Sequence, residues 1–194
     1  MTKKDKILLM ATRMFAGKGF ADTSTAELAG ITGVAESTIF YHFKNKEELF
    51  LEVLRKVREE IVQHFEEHEQ SQGFESGLDK VEGLLGYYLY LAGAMEDAFL
   101  LLHRHYPYML AQDNEVCREN LEAVYNCMAD IFQRAIEEGQ RDGSIADIPA
   151  RKTALILFTM VDGLVRFKTY NLYDAGTLFK EMVASARKIL VHAH

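Results

Sequence analysis

With two cysteines and two prolines in 194 residues, the chain lacks the means for two common architectures. Cys117 and Cys127 are too few for a disulfide framework, and so little proline leaves few places where a helix is forced to break. No apolar run approaches the roughly 20 residues that a membrane-spanning helix needs, so no membrane partner is expected. The opening Met-Thr-Lys-Lys-Asp-Lys is basic but passes directly into an amphipathic pattern containing Arg13, which does not read as a secretory leader. No glycine-rich phosphate loop, nucleotide fold or Ser or Cys nucleophile constellation is present, so the chain does not read as an enzyme and no cofactor is expected. What is abundant is apolar material, 48% of residues, which with the scarcity of proline points to a helix-rich core in a cytoplasmic protein.

Charge is unevenly spread. The net value is −7, yet residues 1–46 carry seven Lys plus Arg against four Asp plus Glu, a balance of +3 that leaves −10 for the remainder. A basic head can seat on a polyanion while an acidic body is repelled from it. For most of the body, the acidic helices also serve simply as solvated surface.

Apolar periodicity predicts nine helices, over 4–17, 25–32, 35–43, 45–70, 78–93, 95–105, 114–141, 149–170 and 175–192, with no strand alternation, repeat or low-complexity tract between them. In the first, Ile7, Leu8, Met10, Ala11, Met14 and Phe15 form the apolar face, Gly17 and Gly19 end it, and Phe20 tucks beneath. The 45–70 helix buries Leu49, Phe50, Val53, Leu54, Val57, Ile61 and Phe65 and runs out of the head. The polar stretch 66–77 ends it. Cys117, Leu121, Val124, Met128, Ile131 and Ala135 make one continuous seam, and Pro149 suits a first turn, where its missing amide has no partner to lose.

Residues 24–50 contain the most specific pattern. Ser24 with Glu27 has the spacing of a capping box, Leu28, Ala29 and Ile31 give the helix an apolar side, and Gly33 supplies the backbone freedom of a tight turn. In the next short helix Val34, Ile39 and Phe43 point inward. This is the build of a helix-turn-helix, which places its second helix in a DNA major groove. The candidate DNA-contacting residues are Thr25, Glu36, Ser37, Thr38, Tyr41, His42, Lys44 and Lys46. Hydroxyls and the His ring can reach base edges or phosphates, and the lysines neutralise backbone charge beside them. A purely structural helix pair with a packed Tyr41-His42-Phe43 cluster is the plainer reading of the same residues.

Gly-Val-Ala-Glu-Ser-Thr-Ile-Phe-Tyr-His-Phe-Lys-Asn-Lys-Glu-Glu-Leu at 33–49, preceded by Phe-Ala-Gly-Lys-Gly-Phe at 15–20 and Thr-Ser-Thr-Ala-Glu-Leu-Ala at 23–29, resembles the signature of the tetracycline-repressor (TetR/AcrR) family. The resemblance covers the first quarter of the chain. It implies an all-α protein with a three-helix DNA-binding head at 1–46 and a larger ligand-binding and dimerisation domain at 47–194. It also implies a homodimeric repressor that leaves a palindromic double-stranded operator when a small molecule binds. By position it gives Tyr41 and Lys46 to phosphates and Ser37 and Thr38 to bases. The chain departs from the commoner pattern at Ala35, where a capping Ser is frequent, and at Glu36, where a basic residue is frequent. The Glu36 charge opposes phosphate contact except where it accepts from a cytosine amino group.

The 149–170 helix carries apolar residues around nearly its whole circumference, so it needs a second buried side. Together with the 175–192 helix it resembles the pair that forms the family's four-helix dimer interface, and Phe158, Val161, Val165, Phe179, Met182 and Ala186 are the expected interface residues. An apolar or aromatic effector is expected among Tyr88, Met95, Phe99, His103, Tyr106, Tyr125, Met128 and Phe158. His103 and His105, two apart on a helix, make a poor metal pair. His64-Phe-Glu-Glu-His68 fits a zinc-protease pattern, but no third ligand is evident and no metal is expected. The alternative function is a ligand-independent DNA-binding and protein-interaction factor.

Overall fold

A computed structural model describes residues 2–191, which form ten α-helices and no strand. They are α1 (Lys3–Gly17), α2 (Thr25–Thr32), α3 (Glu36–His42), α4 (Lys46–Ser71), α5 (Gly77–Ala94), α6 (Glu96–His103), α7 (His105–Asp113), α8 (Glu115–Asp142), α9 (Ala150–Thr169) and α10 (Ala175–Val191). The all-α class is as expected, with one helix more than periodicity predicts; position 192 of the last expected helix lies outside the described residues. The additional helix is α7. Arg104 has an extended backbone, φ −67° and ψ 153°, which ends α6 at His103 and starts α7 one residue later. Pro107 then falls in the first turn, where its absent N–H loses no helical bond.

The chain packs as two units, one from the chain up to Phe65 together with Met95–Val124, the other from Glu66–Ala94 together with Tyr125 onward. In the first, α1 begins with a complete capping box that the sequence reading missed. Thr2 Oγ1 accepts from the Asp5 amide at 3.1 Å while Asp5 Oδ2 accepts from the Thr2 amide at 2.9 Å. The expected inner face of α1 is buried, with Met10 half-buried. Gly19, at φ 91°, takes the left-handed turn after the helix; Gly17 stays within it. All seven α4 residues expected inside are buried. Between α1 and α4, Glu52 accepts from Arg55 and from Lys4 Nζ at 2.7 Å. The Arg55 bond, with Lys4 beside it, holds the Glu52 carboxyl down to about 2.

In the second unit the start of α5 is capped by residues 65 and 66 positions away. Asp142 Oδ2 accepts from the Gly77 amide at 2.7 Å, and Ser144 Oγ accepts from the Leu78 amide at 3.1 Å. The capping requires close approach: a Cβ at Gly77 would stand 2.0 Å from the Gly139 nitrogen and 2.7 Å from the Ala135 carbonyl. Lys80 Nζ lies 3.2 Å from Glu69 and 3.0 Å from Glu138, and Arg134 reaches Glu69 at 3.1 Å. Arg187 grips Glu82 through two bonds of 2.7 Å, tying α10 to α5. The α8 seam from Cys117 to Ala135 is buried throughout.

Two measurements check this packing. Gly77→Ala should lower unfolding free energy by about 3 kcal/mol in urea titration, because rigid backbone faces the new methyl. Glu52 is depressed in the folded state, so its stabilisation is present above the ordinary carboxylate pKa of 4.5 and is lost as pH falls from there towards 2. Glu52→Gln should therefore flatten the acid limb of the urea midpoint against pH.

Candidate nucleic-acid interface

The head is assembled from local rules and one long-range clamp. Ser24 Oγ accepts from the Glu27 amide at 3.1 Å and starts α2. The return half of the expected capping box is missing, because the Glu27 carboxylate pairs with Lys18 instead. Gly33, at φ 66°, closes α2 in the left-handed region, as a tight inter-helix turn requires. Ala35 caps α3 without any side-chain bond, so the capping contribution of about 1 kcal/mol is absent there.

Ile39 on α3 and Phe43 just after it are buried, and Val34 just before the helix is half-buried. Glu36, Ser37, Phe40, Tyr41 and Lys44 are exposed, with Tyr41 at 84%, while Thr38 and His42 are half-buried. Phe40, 48% exposed, was missed as a candidate contact. Its spacing of four from Glu36 and three from Ser37 places it on the same outward strip, a signal present in the sequence but obscured by its apolar character. Thr25 Oγ1 donates to Glu36 Oε1 at 2.6 Å, joining the first residues of α2 and α3. A shallow groove of about 440 Å³ lies between the 21–25 loop and Phe40, Asn45 and Lys46.

Lys46 differs most from expectation. Its ammonium donates to the carbonyls of Phe20 at 2.8 Å, Thr23 at 2.9 Å and Ala21 at 3.4 Å, and it sits 4.3 Å from the centre of the Phe20 ring. Three N–H groups are thereby engaged on the loop that leads into α2, whereas the resemblance assigns them to phosphate. Phe20 is fixed in turn by Phe15, Phe50 and Tyr106. The Tyr106 ring lies parallel to it at 3.9 Å, and Phe50 meets both edge-on. Burial pushes the Tyr106 hydroxyl up to about 12. Arg104 adds bonds of 2.7 Å to the Ala16 and Gly17 carbonyls, capping the C-terminus of α1.

The expected effector residues fall into two groups. Tyr106 belongs to this aromatic core of the head, and Met95, Phe99 and His103 lie at the start of α6 or along it. In the other unit Tyr88 and Tyr125 each contact Phe158 with ring centres 5.7 Å apart, Met128 is buried, and Tyr88 donates to Asp162 at 2.7 Å. His68 lies flat on Tyr87 at 3.7 Å, and burial lowers its pKa.

The expected dimer residues require a correction. Phe158, Val161, Val165, Met182 and Ala186 are buried inside the subunit and Phe179 is half-buried. The large apolar residues that α9 and α10 leave exposed are Leu155, Ile156, Phe167, Leu178 and Val191. Periodicity identified apolar helices correctly but could not say which side the subunit's own helices cover.

Residues 7–53 match the family model for bacterial regulatory proteins of the tetR family. Residues 7–53 therefore carry a tetR-family domain. The chain is 27% identical over 112 residues to the HTH-type transcriptional repressor KstR2 of Mycolicibacterium smegmatis, a match covering 58% of this chain and 49% of that protein. It therefore aligns with about half the length of that relative. In fold it is similar to a transcriptional regulator from Saccharomonospora viridis solved with choline, with a TM-score of 0.85, 19% identity and 98% of each chain covered. It is also similar to FadR of Bacillus subtilis solved with stearoyl-CoA, with a TM-score of 0.76, 18% identity, and 96% and 98% of the two chains covered. Among the described residues no helix is long and apolar enough to cross a membrane.

Lys46→Gln tests the clamp. Head stability should fall by about 1 to 3 kcal/mol, since several loop carbonyls lose their donor. The salt slope of DNA binding should change by well under the 0.9 that loss of one phosphate contact produces. A full unit of slope with unchanged stability would return Lys46 to the phosphate role.

Proposed function

We propose that the regulator is a cytoplasmic homodimeric repressor that binds a palindromic operator and is released by a small molecule. The observation that carries the DNA reading is the outward strip Glu36, Ser37, Phe40 and Tyr41 on α3, continued by Lys44 just past its end, with the other side anchored by buried Ile39 and by Phe43 at the helix end. In this reading residues 1–46 are the DNA-binding domain, and 47–194 serve dimerisation and effector binding. Tyr41 and Lys44 meet phosphates, Ser37, Thr38 and Phe40 lie towards base edges, and Lys46 holds the loop that presents Thr25.

Dimerisation is supported by the apolar row that α9 and α10 leave uncovered. Leu155, Ile156, Phe167 and Leu178 offer a surface that a second copy can cover, and a two-fold pair uses the same patch on both subunits. Two copies of α3 about 34 Å apart then meet successive major grooves on one face of the duplex.

For the effector, the cluster of Tyr88, Tyr125, Met128 and Phe158 with Asp162 supplies apolar rings beside one carboxylate. Choline and stearoyl-CoA, bound by two proteins of similar fold, make an apolar or amphipathic small molecule the favoured class. Release requires the effector to prefer the head spacing that does not fit the operator; tight binding alone shifts nothing.

Enrichment of duplexes from a random pool should yield an inverted repeat, and five extra base pairs between its halves should abolish tight binding by turning one half-site to the opposite face. Leu155→Asp with Ile156→Asp should give a folded monomer in sedimentation that binds a single half-site weakly. A monomeric parent chain, or a non-symmetric motif, would remove the dimer reading. With choline and stearoyl-CoA as probes, operator affinity unchanged at saturation would exclude that probe as the effector.

A further inference from the structure

We propose that Glu36 reads a cytosine in each half-site, with Thr25 as its positioning residue, an inference that rests on the DNA-binding reading above. Glu36 is the first residue of α3, the end of a recognition helix that faces base edges. It stands next to Ala35, which offers no capping oxygen, so an acid in the first turn is favoured by the helix dipole. The dipole alone does not orient the side chain. Thr25 does, by donating to Oε1 at 2.6 Å from the start of α2.

The bond leaves the second carboxylate oxygen, Oε2, as an acceptor directed by neither helix. In the major groove, cytosine alone presents an amino donor, N4, with no acceptor on the same base beside it. Adenine N6 stands beside the N7 acceptor, and guanine and thymine present acceptors at the corresponding edge. The exposed Glu36 also repels phosphate, which weakens binding to any duplex lacking the compensating cytosine. The residue therefore acts by attraction at one base and repulsion everywhere else, which is how discrimination between similar sites is raised.

The test is selection from random duplexes with the full chain and with Glu36→Gln, Glu36→Ala, Thr25→Val and Thr25→Ser, alongside the melting temperature of each. The parent chain should show a symmetric pair of cytosine columns with roughly tenfold preference over other bases. Glu36→Gln should move those columns towards adenine, which an amide can bind through N6 and N7, and should tighten binding to non-cognate duplex. Glu36→Ala should flatten the same columns and leave the others intact. Thr25→Val should blur the cytosine columns while Thr25→Ser, which keeps the donor, restores them. If the Thr25–Glu36 bond only ties two helices together, the Ala and Val variants will melt earlier yet enrich the parent motif unchanged, and the proposal is overturned. A parent chain that enriches no motif overturns the DNA-binding reading itself, and this inference with it. An enriched palindrome insensitive to Glu36 overturns only the inference.

Discussion

The head depends on a single lysine ammonium held against three carbonyls and an aromatic ring. Lys46 opens α4, but its Nζ is engaged at 20–23, in the loop between α1 and α2. A loop carbonyl without a partner is costly when water is excluded, and the 20–23 segment has no helix of its own to supply amides. Lys46 provides those donors from one side, while the Phe15, Phe20, Phe50 and Tyr106 rings fill the space on the other. Where α2 begins, and so where Ser24 and Thr25 stand, follows from that clamp. The orientation of α3 then follows from α2 through the left-handed Gly33 and the Thr25–Glu36 bond.

This dependence divides the polar residues of the head into two kinds that composition cannot separate. Lys46, Arg104 and Glu27 are charged, yet their charges are engaged within the protein. Ser37, Tyr41 and Lys44 are presented outward by the same scaffold. Rigid presentation matters because a base-reading hydrogen bond fails when its donor is displaced by an ångström or so. Tyr106, although it lies in α7, supports the same scaffold, and its parallel stack on Phe20 is what would transmit a displacement of that helix to the loop before α2.

Local patterns were legible in the sequence and long-range partnerships were not. The seven buried residues of α4, the α8 seam, the turn at Gly33 and the uncapped Ala35 all follow from spacing or backbone chemistry, which depend on neighbours within one or two turns. The α5 cap depends on Asp142 and Ser144, some 65 positions away, and no local rule connects them. Helix α7 was passed over because Pro107 and the tyrosines around it weakened the periodic pattern, although proline is harmless in a first turn. The α9 row was read on its inward side because an all-round apolar helix has no preferred face until its neighbours are known. The Lys46 clamp was not legible for a related reason: its position in the motif carries no information about which acceptors lie nearest.

In the proposed reading, an acidic protein with an acid at the tip of its DNA-facing helix is poorly matched to a polyanion, but affinity for DNA in general is not what a regulator needs. Every phosphate-neutralising lysine strengthens cognate and non-cognate binding together, and non-cognate sites vastly outnumber operators. The +3 balance of residues 1–46 is modest, and Lys46 is engaged within the protein. Occupancy must then rely more on contacts that only the right sequence completes. A carboxylate suits that purpose, since it lowers binding wherever its partner is missing and recovers the loss only where an amino group meets it. The −10 of the remaining chain acts in the same direction, opposing any pose in which the body rather than α3 lies along the duplex. In the proposed reading, weak general attraction and an acid at the DNA-facing surface are two parts of one selectivity mechanism, and both require the Lys46 clamp to keep α3 fixed.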